Sequence, residues 1–168
     1  MFSGLPAAGK STLARGLAVE LGAVFLRLDT LEQPILAAYG PDIGDVGYRA
    51  AQAVARDNLL MGRGVVADCV NDLKITRDAW RDTALDVGAT PVEIEIRCSD
   101  ANEHRRRVET RDCGITGFSP PSWEKICAQR PDPWDREHLV VETAGRSVGE
   151  SFAELLERLA LVASVDRR

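Results

Sequence analysis

The chain is poor in aromatic residues, at 5% of 168, and carries only four cysteines and two histidines. A groove for single-stranded nucleic acid needs stacking rings beside a basic track. With few rings and a formal charge of −5, neither a general nucleic-acid surface nor an anionic-membrane surface is expected, because both are held by Lys and Arg. Cys69, Cys98, Cys113 and Cys127 lack CxxC spacing and the density of a disulfide scaffold, and only His104 and His138 could join them at a zinc site. They read as reduced, structural cysteines. No apolar run approaches the roughly 18 residues that span a bilayer, and no secretory signal opens the chain. A cytoplasmic protein is the expectation. No linker, internal repeat or heptad pattern is visible, so one domain over 1–168 and a monomer are the defaults.

What is present is an ordinary globular composition, 45% hydrophobic and 28% charged, arranged in alternating patterns. Leu13, Leu17 and Leu21 recur at helical spacing from Lys10 to a stop at Gly22. Val24 to Leu28 reads as a short strand, and residues 31–38 as a helix closed by Gly40-Pro41. A helix over 48–61, a strand over 64–70 and a helix over 75–87 follow. Val92, Ile94, Ile96 and Cys98 then alternate with charged residues, which suggests a strand near a sheet edge. A basic helix over 102–111, a Gly/Pro-rich stretch over 114–121, a last strand at 139–141 and an amphipathic helix over 148–161 complete the order. Such βα alternation implies an α/β fold: three layers, a mostly parallel sheet of about five strands, and helices on both faces. Its ligand crevice lies beyond the carboxyl ends of the strands.

Gly4-Leu5-Pro6-Ala7-Ala8-Gly9-Lys10-Ser11 matches the phosphate-cradling pattern G-x-x-x-x-G-K-[ST]. Glycines let successive N–H groups turn inward around an anion, and the loop feeds a helix N-terminus whose partial positive charge favours phosphate. The pattern implies a magnesium-bound nucleoside triphosphate. Lys10 would reach the β- and γ-phosphates, Ser11 would take one Mg²⁺ position, and Thr12 would be the next donor. Only Met1, Phe2 and Ser3 precede the loop, so the first strand is expected to be very short and the natural start to lie a few residues upstream.

On these residues the chain resembles the small P-loop kinases of AAA type, the nucleoside-monophosphate-kinase-like group that includes chloramphenicol phosphotransferase, polynucleotide 5′-kinase and zeta-toxin-like enzymes. The resemblance implies that Asp29, in Leu26-Arg27-Leu28-Asp29, is the general base for the acceptor hydroxyl. An N-cap of the next helix is the alternative for Asp29. By the same resemblance Asp68, in Val65-Val66-Ala67-Asp68, would orient the Mg²⁺ shell and Asn71 would lie near the acceptor. Asp68 could instead satisfy backbone groups at a strand end. Arg77 and Arg49 could face charged groups of the acceptor or be solvated helix residues.

Arg107 and Arg111 are four apart, spaced similarly to the lid arginines of the group. The resemblance gives Arg107 the adenine face and Arg111 the transferring phosphoryl group. Arg105 and Arg106 read as a solvated face. The lid would span about 107–135, its mobile part at 114–121 excluding water from the reaction. Trp123, Arg130 and Trp134 lie just beyond and read as core or acceptor-side residues. Thr143-Ala144-Gly145-Arg146 would form the adenine loop, with Gly145 against the base. The expectation is transfer of the γ-phosphoryl group of Mg-ATP to a hydroxyl of a small molecule. A nucleotide-dependent switch without an acceptor is the alternative, weakened by the absence of the guanine-reading Asn-Lys-x-Asp sequence. A nucleic-acid 5′-end kinase fits this acidic, ring-poor chain less well.

Overall fold

The structure, a computed structural model, describes residues 1–165; residues 166–168 of the expected single unit lie outside the described residues. Five strands form one sheet: β1 (Phe2–Ser3), β2 (Val24–Arg27), β3 (Val65–Asp68), β4 (Ile94–Arg97) and β5 (Leu139–Glu142). The order is β2-β3-β1-β4-β5, and every pairing is parallel. The helices are α1 (Lys10–Leu21), α2 (Leu28–Tyr39), α3 (Val46–Leu60), α4 (Lys74–Leu85), α5 (Ala101–Thr110), α6 (Trp123–Ala128) and α7 (Val148–Val165).

Two apolar clusters show how the sheet is covered on both faces. Phe2, Leu13, Ala14, Leu17, Val66, Ile96, Val141 and Leu155 pack α1 and α7 against one face. Leu26, Ala51, Ala55, Ala67, Cys69 and Trp80 pack α3 and α4 against the other. In α1 the buried positions Leu13, Ala14, Leu17 and Ala18 follow the three-four spacing of one helix face. Gly22, at φ 59°, ends the helix by donating to the carbonyls of Ala18 and Val19.

Three sequence expectations shift. β2 ends at Arg27 and α2 starts at Leu28 with no loop between them, so Asp29, just past the strand as expected, lies inside the first turn of α2. Arg27, not Asp29, holds the N-cap position, and no side chain caps that end. A carboxylate in a first turn is favoured by the helix dipole without capping anything. β4 is not an edge strand, since β5 lies outside it. Its polar pattern is instead neutralised by the chain that returns to β5. Arg136 grips the Glu93 carboxylate through Nε and NH2 at 2.5 and 2.6 Å, and His138 Nε2 lies 3.0 Å from Glu95. The short helix α6 was not anticipated within the lid. β1 is, as expected, only two residues long, and it sits between β3 and β4 with Phe2 1% exposed.

Candidate active site

Residues 4–9 turn from the carboxyl end of β1 into α1. Gly4 has φ +130°, and a Cβ there would stand 2.2 Å from the Ile96 carbonyl oxygen, so the loop's first position accepts no side chain. Ala7 and Gly9 also have positive φ, 65° and 106°. Gly9 is the N-cap of α1 and brings no capping side chain, which leaves the first amides of the helix to an outside acceptor. Lys10 is buried, and its Nζ donates to the Leu5 carbonyl at 2.8 Å. Burial pulls its pKa down to about 8, against the opposing pull of Asp68 and Asp29. A turned-in loop, an uncapped helix start and a desolvated ammonium fit a polyphosphate.

Two neighbours pin this loop. His104, on α5, places Nε2 2.7 Å from the Pro6 carbonyl oxygen, and so carries its proton on that nitrogen. Thr143 Oγ1 lies 2.9 Å from the carbonyl oxygens of both Ala8 and Arg97 and donates to one at a time.

Opposite Lys10 stand the ends of β2 and β3. Asp68 is 4% exposed. Burial pushes its carboxyl above the usual range, while Lys10, the Ser11 hydroxyl and Arg27 pull it back. Its Oδ2 has no hydrogen-bond partner in the protein. An unpaired buried carboxylate oxygen beside the Ser11 hydroxyl is a donor set suited to a hydrated divalent cation such as Mg²⁺. Among the described residues no group of three or more His, Cys, Asp or Glu could hold a metal. All four cysteines are free thiols. Arg27 sits between the two carboxylates, Nε 3.9 Å from Asp68 Oδ2 and NH2 3.9 Å from Asp29 Oδ2.

The third wall is the lid and the turn after β5. Arg107 donates from NH1 to Thr143 Oγ1 and from NH2 to the Thr143 carbonyl, each at 2.9 Å, and pairs with Glu103 at 2.5 Å. Those bonds fix the position of the planar guanidinium. Glu103 also accepts from the Gly145 amide at 2.8 Å, so α5 holds the turn at 143–146 from two sides. Gly145 takes φ +68°, with open space where a Cβ would be. Arg111 lies one residue past α5 in extended backbone and reaches the same cleft as Arg107.

Together these groups line a cleft of about 480 Å³ bounded by Lys10 and Ser11, by Arg27, Asp29 and Asp68, by Arg107 and Arg111, and by Phe118 and Gln129. Four buried polar atoms without a protein partner belong to residues of that wall: Arg27 Nε, Asp68 Oδ2, Arg111 Nε and Gln129 Oε1. Their convergence marks the cleft as a place built to meet a polar ligand.

Other candidates fall elsewhere. Arg77 is 1% exposed and donates to four backbone carbonyls, those of Asn71, Asp72, Asp132 and Pro133, at 3.0–3.1 Å. Its guanidinium carbon lies 4.5 Å from the Trp134 ring centroid. It ties two loops together and does not face an acceptor in the cleft. Arg49 is solvated, 4.0 Å from Asp45. Asn71 is fully buried and donates to the Phe2 carbonyl at 2.8 Å, and it lines a separate cavity of about 280 Å³ behind the loop. Trp123 meets His104 edge-on, Trp134 stacks on His138, and Arg130 caps carbonyls of its own turn.

Sequence reasoning overlooked Arg27, His104, Glu103 and Gln129. Arg27 alone carried a signal, a charged residue at the end of an otherwise apolar strand.

The model of a family described as AAA domain matches residues 1–113. The chain belongs to that AAA domain family. No curated protein matches it. Among solved structures this AAA domain is similar to a gluconokinase from Sinorhizobium meliloti 1021, at 22% identity and TM-score 0.68, over 97% of this chain and 91% of that one. It is also similar to the APS kinase CysC of Mycobacterium tuberculosis in complex with AMPPNP and APS, at 22% identity and TM-score 0.64, over 95% of each. A third is Kti12 of Chaetomium thermophilum in complex with ADP-AlF3, at 19% identity and TM-score 0.67, over 94% and 95%. At such identities the likeness establishes the fold, that of the small P-loop kinases, which the sequence motifs had suggested.

Proposed function

We propose that this protein is an ATP-dependent phosphotransferase that moves the γ-phosphoryl group of Mg-ATP to a hydroxyl of a small molecule. The observation that carries the reading is the facing of Lys10, at the uncapped start of α1, by Asp29 and Asp68 across one cleft that also receives the lid arginine Arg111. The structural neighbours that are kinases by name support it.

In this reading the amides of residues 4–12 and the Lys10 ammonium bind the triphosphate. Arg107 and the turn at Gly145 hold the adenine. Ser11 and Asp68 hold Mg²⁺, which when bound offsets charge on the phosphates. Asp29 accepts the proton of the acceptor hydroxyl as its oxygen bonds to the γ-phosphorus, while the bond to the ADP oxygen breaks. Arg111 stabilises charge on the group in flight, a duty worth about 10³–10⁵ in rate in related reactions. Water exclusion falls to residues 112–121 with Gln129.

The test is ADP release with Mg-ATP against pooled hydroxylated metabolites and antibiotics, with products identified by mass. Stimulation by one pool, a product heavier by one phosphoryl group, and loss of both in Lys10→Ala sustain the reading. Equal ADP release with every pool and with none would instead favour a nucleotide-dependent switch.

A further inference from the structure

Arg27 lines the cleft, has no duty in the chemistry above, and has unusual surroundings. Its side chain is 11% exposed, and it stands 3.9 Å from each of two carboxylates, beyond hydrogen-bond reach of both. Its single close bond runs in another direction, from NH1 to the backbone carbonyl of Cys113 in the lid, at 2.8 Å. Its Nε and the facing Asp68 Oδ2 are both buried without partners.

Arg27 faces both carboxylates at a distance through NH2 and Nε and commits NH1 to the lid backbone. A second contact continues the same seam, since Gln33 Nε2 of α2 lies 3.1 Å from where a Cβ of Gly117 would be. The lid thus approaches the end of β2 at Arg27 and the second turn of α2 at Gln33.

We propose that Arg27 is a positioning residue that latches the lid to the end of β2, so that water is excluded at the moment Asp29 and Asp68 are both screened by its charge. The proposal rests on the kinase reading for its catalytic consequence, although not for the latch itself. Its bond partner is a main-chain carbonyl, so no substitution at Cys113 removes the acceptor and the bond is tested at Arg27. Lysine at this position keeps the charge between the carboxylates, yet it lacks the fork that reaches the lid while facing them.

The experiment compares wild type with Arg27→Lys and Arg27→Met in two assays, after thermal melting shows each variant to be folded. The first is tryptic cleavage of the lid at Arg111 and Lys125 with Mg-AMPPNP bound. Losing a hydrogen bond from a charged donor should raise lid cleavage about tenfold or more in both variants, with the remaining sites unchanged. The second is the ratio of ADP released to acceptor phosphorylated. This ratio should stay near one in wild type and rise severalfold in both variants, with Mg-ATP affinity held. Unchanged lid protection in Arg27→Met overturns the latch whatever the enzyme transfers. Increased cleavage with an unchanged ratio overturns its role in excluding water. If wild type phosphorylates no acceptor, the kinase reading fails, and the cleavage assay still decides the latch.

Discussion

Replacing Arg77 with methionine separates a structural arginine from an acceptor-binding one. The side chain is 1% exposed, and its two terminal nitrogens donate to the carbonyls of Asn71 and Asp72 after β3 and of Asp132 and Pro133 after α6. Methionine fills most of the stem volume and leaves those carbonyls without their donor. Each hydrogen bond from a charged group is worth about 1.5–3 kcal/mol net, but part of the loss is recovered where water reaches the loops, so a total of about 3–5 kcal/mol is expected. Loss of the cation–π contact with Trp134 is included in that range. For a domain of this size about 2–4 °C of Tm accompanies each kcal/mol, which gives a fall of about 6–20 °C. Differential scanning calorimetry and urea titration measure it. Arg77→Lys should fall between, because one ammonium cannot serve four carbonyls in two loops. Well below its Tm, Arg77→Met should bind Mg-AMPPNP and acceptor as wild type does. A Tm change under about 2 °C together with a weakened acceptor KM would refute this assignment and return Arg77 to the site.

Gly4→Ala should abolish nucleotide binding by isothermal titration, since its Cβ would meet the Ile96 carbonyl oxygen at 2.2 Å and no flexible side chain can yield there. Lys10 gives two opposed pH effects. Its folded-state pKa is lowered to about 8 from 10.5, so the unfolded chain holds the extra proton between those values, and its contribution to stability rises with pH across that window. Mg-AMPPNP affinity should move the other way and weaken as pH rises above about 8, as the ammonium is lost. His104→Phe keeps the ring edge beside Trp123 and removes the bond to Pro6, and should weaken Mg-AMPPNP binding by about three- to tenfold, the equivalent of one modest hydrogen bond.

The loop at 4–11, the strand and helix alternation and the parallel sheet were legible because each has a local signature: glycine spacing, a residue period of two or of three to four, and a stop residue. Asp29, Asp68, Lys10 and Arg111 were also named in advance and do share one cleft. What escaped depends on partners distant in sequence. Arg77 and Arg107 look alike as basic residues on helix faces. One is bonded to a loop 55 residues away as well as to its own neighbours, and the other is fixed to Thr143 by bonds spanning 36 residues. The polar strand β4 imitated an edge because its neutralising partners, Arg136 and His138, arrive 43 residues later. Arg27 gave a signal without a meaning, since its lid partner is a backbone carbonyl that any residue supplies.

The most direct test of phosphoryl transfer driven by Asp29 is a single-turnover measurement with radiolabelled ATP, comparing wild type and Asp29→Asn at saturating acceptor. The expected result is a fall of about 10²–10⁴ in the rate of label transfer, with Mg-AMPPNP affinity unchanged, because the amide keeps the shape of the carboxylate but cannot take the proton. Transfer at the wild-type rate in Asp29→Asn would contradict it and leave Asp29 as a first-turn helix residue only.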